Sequence, residues 1–421
     1  MATHIQSSTS LQTLPSELTA EFLIHLPINS SLLTVGLSSK LTFAPFIFHS
    51  LAFARRHFRH QFAVSGYPSI WEFLDAHNIK REGWLSLPFN YQTAIYGEIL
   101  SAEDWAGIEE AGDDWDKNLM WSLRWDLPNH RAFKIMGVLL MNGLNPSLRG
   151  NRALRWACRS GHSEVVEMLM QRVAEEDDSV DLHATIHNAV ELGHIDVVRR
   201  LLGDPRVDAG GSNNCAIQLA ARKGHAEIVE LLLSVPTVDP CSNDNFAICV
   251  ASESGHTDVV KVLLKCGRVD PTIENNFPIC VAAQNGHCGV VEALLLDGRA
   301  DPAAENNGAI GAASVQGHPD VVDILLKDPR VDPAVGRNCP VRWAAQFGKV
   351  EVVRRLMEDE RIDPSDCENY ALRAAIEGGH LEVVECLLQH PKVDPNILER
   401  LAMIRLADES IRSDVASILN R

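Results

Sequence analysis

Apolar residues recur along most of the chain in a pattern that predicts short helices. In the segment GHTDVVKVLLK, which begins at Gly255, a Val-Val pair is followed four residues later by a Leu-Leu pair. Residues four apart share one face of a helix, so the two pairs form a single apolar stripe. A shorter apolar pattern comes before it, with Ile248 three residues ahead of Ala251. The chain therefore predicts pairs of helices.

Both patterns repeat with a nearly fixed period. A glycine stands between the two predicted helices of each pair, and we expect it to end the first helix because a left-handed cap costs glycine nothing. Such a period is typical of stacked-repeat proteins, in which one pair cannot bury its stripe alone. The glycines lie 31 or 32 residues apart, at Gly161, Gly193, Gly224, Gly255, Gly286, Gly317, Gly348 and Gly379.

The connections between pairs are polar and contain Asp-Pro, as in RVDPTIENN from Arg268. Proline and asparagine favour loops and turns, so these stretches predict projecting loops. An asparagine ends nearly every connection, and we expect its side chain to cap the helix that follows. These predicted caps are Asn151, Asn214, Asn245, Asn276, Asn307, Asn338 and Asn369, with His183 as the exception.

The repeated line resembles ankyrin repeats, whose usual order is Thr-Pro-Leu-His, Ala-Ala, Gly-His, Val-Val and Leu-Leu. This chain keeps the Ala, Gly-His, Val-Val and Leu-Leu and departs at the first group, which is replaced by segments such as FPIC at Phe277. The resemblance covers residues 118–421: a degenerate first copy at 118–150, eight regular copies at 151–395 and a C-terminal cap at 396–421. It implies an all-α helical solenoid that holds a protein target in a groove.

In ankyrin repeats, the loop tips and the residues just before each glycine face that groove. Large, rigid aromatic side chains dominate binding energy, so aromatic residues at or near these positions are candidate anchors. For Phe246 and Phe277, packing between copies is an equally good interpretation. The candidates are Phe246, Phe277, Trp343, Phe347 and Tyr370.

A different pattern lies near the N-terminus, after a predicted flexible stretch at 1–11. The segment LPSELTAEFLIHLP, from Leu14 to Pro27, has a helical stripe of apolar residues between two prolines. It resembles the opening of an F-box at 12–50, although Phe43 stands where tryptophan is common. The resemblance implies binding to the adaptor of a cullin-type ubiquitin ligase through Leu14, Pro15, Leu18, Phe22 and Leu26. Alternatively, these helices only cap the first repeat.

Two further segments separate this motif from the repeats. Residues 51–100 show helical periodicity and predict a helical connector. Residues 101–117 carry seven acids against one lysine, so we interpret them as an acidic linker and place the domain boundary there.

Composition and charge limit the classes of partner and the cellular compartment that we expect. A net charge of −18 leaves no basic footprint for nucleic acid. The most apolar window, 41–54, is too short to span a membrane. The N-terminus has no secretion signal, and the ten cysteines form no CxxC motif, so we expect a reduced monomer in the cytoplasm, with the nucleus as the other compartment.

The sequence favours binding over catalysis. The repeated Gly-His histidines stand at equivalent positions of different copies and cannot converge on one metal ion, so we expect a structural role. Cys249 and Cys280 are expected to lie about 8–10 Å apart, beyond disulfide reach. No catalytic or phosphate-binding motif is present, and we predict no enzyme activity, cofactor or metal.

These observations lead to two functional hypotheses. In the first, the chain is the substrate receptor of an SCF-type ubiquitin ligase: the F-box-like bundle binds the adaptor and cullin complex, and the ankyrin groove binds the target. The alternative is an ankyrin-repeat interaction scaffold with no link to ubiquitin.

Overall fold

The computed structural model describes most of the chain as helices and the turns between them. All regular structure in the described part is helical, as the sequence predicts. The predicted flexible N-terminus, nearly all of the acidic linker and the C-terminal cap lie outside that part. The chain forms two compact units, Met1–Val207 and Asp208–Arg421. The described residues are 20, 23–26, 45–68, 70–77, 87–101, 129–141, 148–172 and 182–393.

The first unit begins with a small group of helices and ends with two helix pairs. Helix α1 packs against α2 and α3, α3 against α4, and α4 against α6. The pairs α5/α6 and α7/α8 pack on each other helix by helix. The elements are a π-helical turn at Pro45–His49, α1 (Leu51–Ser65), α2 (Ile70–Ala76), α3 (Phe89–Ser101), α4 (Asn129–Met141), α5 (Leu148–Arg159), α6 (Ser163–Met170), α7 (Leu182–Glu191) and α8 (Ile195–Leu202).

Aromatic rings fill the space between α1, α2 and α3. Phe58, Phe73 and Tyr91 are almost completely buried. Phe58 and Phe73 meet edge to face, with ring centroids 5.6 Å apart. Such a pair adds about 0.5–1.5 kcal/mol beyond the burial of its apolar area. The predicted connector at 51–100 therefore contributes to a hydrophobic core of its own.

A buried histidine fastens the described part of the N-terminal segment to this core. The Nε2–H of His57 donates to the backbone carbonyl of Leu26 at 2.6 Å. Its Nδ1 lies 2.5 Å from the hydroxyl of Tyr91. Burial lowers the pKa of His57 to about 4, so the ring is neutral at pH 7 and Nδ1 accepts from Tyr91. Gln61 adds a bond from its side-chain amide to the carbonyl of Ile24.

The second unit is an array of six helix pairs in the described residues. Each pair is joined by a turn at a glycine with positive φ. Histidine follows this glycine in five of the six pairs, and Lys349 follows it in the pair α17/α18. The pairs are α9 (Gly211–Lys223) with α10 (Ala226–Leu233), α11 (Ser242–Glu253) with α12 (Thr257–Lys265), α13 (Ile273–Gln284) with α14 (Cys288–Asp297), α15 (Ala304–Gln316) with α16 (Pro319–Leu326), α17 (Val335–Gln346) with α18 (Val350–Met357), and α19 (Asp366–Glu377) with α20 (Leu381–Leu388).

Neighbouring pairs in this unit stack in register. The first helices contact one another in succession from α9 to α19, and the second helices do the same from α10 to α20. The predicted stripe is the contact surface: Val290, Val291 and Leu294 of α14 are completely buried. Burial of each such side chain stabilises the fold by about 1.5–3 kcal/mol. The predicted paired helices are confirmed.

The prediction that asparagine caps each first helix is wrong. Glu274, Asn275 and Asn276 adopt φ values of 47°, 57° and 67°, which is a left-handed turn, whereas an N-cap residue is extended. The side-chain oxygen of Asn276 instead accepts from the backbone N–H of Asp301 in the next copy, at 2.7 Å. Asparagine suits this position because it tolerates left-handed backbone better than most residues. The same bond joins Asn214 to Asp239, Asn245 to Asp270, Asn307 to Asp332 and Asn338 to Asp363.

The glycine turns are confirmed, and a second reason for glycine appears. Gly286 ends α13 with a φ of 78°. A Cβ atom at this position would lie 2.6 Å from Nδ1 of His318, which comes from the next copy. The Nε2–H of His318 donates to the carbonyl of Gln284 at 3.0 Å. The Gly-His histidines therefore join copies, which supports the predicted structural role.

Candidate functional site

The candidate anchors lie in the first helices of the second unit, with Phe347 directly after the end of α17. We call the exposed side of these helices, from α11 to α19, the first-helix face. Phe277, Trp343 and Phe347 are 38%, 40% and 50% exposed, whereas Phe246 and Tyr370 are half-buried. Trp343 and Phe347 lie one helical turn apart at the end of α17, while Phe246 and Phe277 lie in earlier copies. The structure thus gathers only some of the predicted anchors.

Trp343 lies against the backbone of the preceding copy. A Cβ atom at Gly311 would come within 2.8 Å of Cζ3 of the Trp343 ring. The ring therefore uses the space that a side chain on α15 would occupy. Phe347 follows four residues later and is half exposed. These two rings form the largest exposed aromatic surface on α17, and large rigid rings are efficient anchors for a partner.

Tyr370 lies beneath two arginine side chains. The guanidinium carbon of Arg342 is 4.4 Å from the ring centroid, and that of Arg373 is 5.8 Å away. Cation–π contacts at such distances contribute about 0.5–1 kcal/mol at exposed sites. Arg342 belongs to α17 and Tyr370 to α19, so this contact connects neighbouring copies.

The two earlier aromatic residues differ in their neighbours. Phe246, at the start of α11, lies under the guanidinium of Arg222 at 5.6 Å from its centroid. Phe277 occupies the equivalent position of α13 and is exposed. The preceding copy supplies Arg222 to the first ring, whereas the equivalent position before Phe277 is Glu253.

Asp-Arg pairs fix the loops beside this face. The guanidinium of Arg299 binds the carboxylate of Asp297 at 2.8 Å and donates through Nη1 to the carbonyl of Val269 in the preceding copy, also at 2.8 Å. The bond from Arg299 holds the pKa of Asp297 below its usual value. Arg330 with Asp328 and Arg361 with Asp359 repeat the arrangement.

Sequence reasoning did not identify this set of arginines. Its signal is visible, however, because Asp-x-Arg recurs at Asp297, Asp328 and Asp359 with the period of the repeat. Charged pairs at the surface contribute little to stability individually, but the backbone bonds make the loops part of a ladder from copy to copy. The loops that lead into the next first helix are therefore held in place.

Cys249 and Cys280, which the sequence predicts to be packing residues, are held as thiols. Burial raises the pKa of Cys249 and of Cys280 to about 11, so both remain thiols at neutral pH. All ten cysteines of the chain are free. Within the described ranges, no group of histidine, cysteine or acidic residues could hold a metal ion. None of the described helices is long and apolar enough to cross a membrane.

The predicted adaptor-binding residues lie almost entirely outside the described part. Leu14, Pro15, Leu18 and Phe22 are not among the described residues. Leu26 is half-buried, and its carbonyl receives the bond from His57. The adaptor-binding role of this segment stays a prediction.

Two protein-family models match the repeat region of the chain. A model described as ankyrin repeats (3 copies) matches residues 186–275, 217–306 and 310–399, and one described as ankyrin repeat matches residues 149–181. Together these matches cover more than half of the chain. They do not extend to residues 12–50, and the F-box resemblance has no support from them. No curated protein matches the chain.

Proposed function

The chain belongs to the ankyrin-repeat family and is a protein-protein interaction module, and on that premise we propose that it is the substrate receptor of a cullin-type ubiquitin ligase. In this proposal the first-helix face holds the target protein, and the F-box-like segment at 12–50 holds the adaptor. Proteins of this family are typically not enzymes. A lack of enzymatic activity remains a prediction for this chain.

The observation that carries the target-binding half is the pair of exposed rings on α17. Trp343 and Phe347 remain substantially exposed although the helices around them are closely packed. An exposed aromatic surface loses little conformational freedom on binding, because the scaffold beneath it is already ordered. A face of this kind is suited to a partner with apolar side chains.

The target-binding half can be tested with variants of the two rings whose folding is checked by circular dichroism. The double variant Trp343→Ala/Phe347→Ala should lose the partners that the parent captures from a cell extract. Leu296→Ala is the matched control, because Leu296 is 89% exposed on a second helix, α14. Equal capture by all three proteins would show that the first-helix face does not hold the target.

The adaptor-binding half rests on the sequence LPSELTAEFLIHLP. If this segment docks on an adaptor, its leucine stripe becomes buried in that contact, where a charge would cost several kcal/mol. The variant Leu14→Glu/Pro15→Ala should therefore abolish co-purification of adaptor and cullin while the target remains bound.

The runner-up function is decided by the same measurement. If the parent protein brings down a target but no adaptor or cullin, the chain is an interaction scaffold without a link to ubiquitin. The ten free thiols are the reason to place either function in a reducing compartment, and we propose the cytoplasm or the nucleus.

A further inference from the structure

The charge of α17 differs from that of most first helices in its unit. The segment 335–349 carries Arg337, Arg342 and Lys349 and no acidic residue, although the chain as a whole is strongly acidic. The loops and helices of α11, α13, α15 and α19 all contain acidic residues. Helix α9 is also basic, through Arg222 and Lys223, but the exposed rings accompany the basic residues only on α17.

The arginines of α17 and α19 differ from the loop arginines in their ion pairs with acidic residues. Arg299, Arg330 and Arg361 each form an ion pair with an aspartate two residues earlier. Among the described residues, no carboxylate forms an ion pair with Arg337, Arg342 or Arg373. Asp366 is bound by the side chain of Asn338 and the backbone N–H of Cys367, and these bonds, with a smaller contribution from the charge of Arg337, lower its pKa.

A purely structural role explains only part of this arrangement. Arg342 donates through Nη1 to the carbonyls of Gly336 and Arg337, and Arg373 donates through Nη2 to the carbonyl of Cys367. Gln218, at the equivalent position of α9, makes the same kind of bond to Asn213. Glutamine therefore suffices to brace the loop. Both guanidinium groups also stack on Tyr370, which glutamine cannot reproduce, but stacking uses the face of the group. A guanidinium has five N–H groups in its plane and a permanent charge, which exceed the need of the loop bond and the stacking together.

We propose that the surface formed by Arg337, Arg342, Arg373, Trp343 and Phe347 binds an acidic segment of a partner protein. Carboxylates of the segment meet the guanidinium groups, and an apolar or aromatic side chain between them packs on the two rings. Arginine binds carboxylates in a bidentate manner, which gives direction as well as affinity. The inference rests on the proposed function, because it specifies the chemistry of the target protein that binds to the first-helix face.

The test is selection of short peptides on the purified full-length chain. A display library of random octapeptides is suitable, because an extended octapeptide spans about 26 Å. Helices α9 and α17 are four steps apart, at about 8–10 Å for each step. A bound octapeptide therefore reports on one basic patch and not on both. The affinity of the strongest peptide is then measured by fluorescence polarisation.

Three comparisons decide the outcome. Selected peptides should carry two or more acidic residues beside an aromatic or aliphatic one, and replacing their Asp and Glu by Asn and Gln should weaken binding at least tenfold. Arg342→Gln/Arg373→Gln should weaken binding at least tenfold as well, because glutamine keeps the loop bond and removes the charge. Lys223→Glu, the matched charge control on α9, should change affinity less than twofold.

Other results separate this inference from the proposed function. Uncharged or basic peptides that lose binding in Phe347→Ala would overturn the acidic partner and leave the first-helix face as the binding surface. Acidic peptides that bind the glutamine variant as tightly as the parent would also overturn the inference. Failure to select any peptide would count against it too. Peptides unaffected by Trp343→Ala and Phe347→Ala would contradict the target-binding half of the proposed function itself.

Discussion

The side-chain oxygen of Asn276 accepts a hydrogen bond from the backbone N–H of Asp301, 2.7 Å away in the next copy of the repeat. Asn276 is 8% exposed and has a φ of 67°, so one residue both holds a left-handed turn and joins two copies. The bond recurs at intervals of 31 residues through the second unit. Each copy is therefore fixed to the next by its backbone as well as by its apolar stripe.

Substitution of Asn276 should destabilise the chain through this bond. Asn276→Ala removes the acceptor and places alanine in a left-handed conformation, so we expect a loss of about 2–4 kcal/mol in the free energy of unfolding. Asn276→Gly removes only the acceptor and should cost about 1–2 kcal/mol. Urea unfolding followed by circular dichroism measures both.

Two further variants test the assignment. Asn275→Ala is the control, because Asn275 has the same left-handed backbone but an exposed side chain that bonds only to Glu305. It should cost less than Asn276→Ala. Asn276→Ser supplies a good helix cap that is too short to reach Asp301. If Asn276→Ser were as stable as the parent, the cap interpretation would be restored.

Gly286 should be far less replaceable than Gly298. Both have left-handed backbone, with φ values of 78° and 79°. A Cβ atom at Gly286 would lie 2.6 Å from the ring of His318, whereas one at Gly298 would meet nothing within 4 Å. Gly298→Ala should cost about 1–2 kcal/mol for backbone strain. Gly286→Ala should cost about 1–3 kcal/mol more because of the overpacking.

A double-mutant cycle separates the two causes. His318→Ala removes the ring that the new methyl group would meet, so Gly286→Ala should cost the same as Gly298→Ala in that background. Thermal unfolding of the four proteins provides the measurement. An unchanged cost of Gly286→Ala in the His318→Ala background would show that the ring does not impose glycine.

The helix pairs could be predicted because the residues that determine them are close together in the sequence. The Val-Val and Leu-Leu pairs of α12 and the glycine at 286 act within one helix or one turn, and a period of 31 residues made them visible many times. The asparagine was misassigned because a rule for helix caps considers only its own helix, whereas the partner of Asn276 lies 25 residues further on.

The candidate site was predicted less completely for the same reason. Phe246 and Phe277 occupy equivalent positions, and only the preceding copy decides that Arg222 covers the first. The arginines around Tyr370 could not be placed without knowing which side chains neighbouring helices bring together. At the N-terminus, a stripe of leucines is compatible with both an adaptor surface and a buried helix, so that prediction remains untested.

The first unit should lose stability as the pH falls below neutrality. Burial lowers the pKa of His57 to about 4 from 6.5 in the unfolded chain. Above pH 6.5 neither state is protonated. Between pH 6.5 and 4 the unfolded chain binds a proton that the folded chain does not, so stability falls with pH, by about 3 kcal/mol once pH 4 is reached.

The pH dependence can be followed by tryptophan fluorescence during urea unfolding. Trp343 is the only tryptophan after residue 207, so the signal comes mainly from the first unit. His57→Gln should flatten the curve between pH 6.5 and 4.5. It should not abolish the slope, since burial also lowers the pKa of His162 to about 4. An identical curve for parent and variant would show that His57 is accessible to protons in the folded state.

The last prediction concerns removal of one whole copy. Deletion of residues 276–306 joins Asn275 to Asn307 and preserves the Glu-Asn-Asn turn, so the bond from Asn307 to Asp332 is unchanged. His318 then takes the place of His287 beside Gly255, and Arg330 takes the place of Arg299 at the carbonyl of Val269. Each contact that the deleted copy made can be re-formed by the equivalent residue of the following copy, because all copies share one period.

We therefore expect a soluble, monomeric protein with the same helical ellipticity per residue and a lower midpoint of unfolding. The control deletion, residues 276–300, removes a shorter stretch and joins Asn275 directly to Asp301. It places the following helices out of register, exposing apolar stripes, and should aggregate or unfold in size-exclusion chromatography. If both deletions aggregate, the copies are not interchangeable. If both stay folded, the ladder of bonds between copies does not set the register, and apolar packing alone is sufficient.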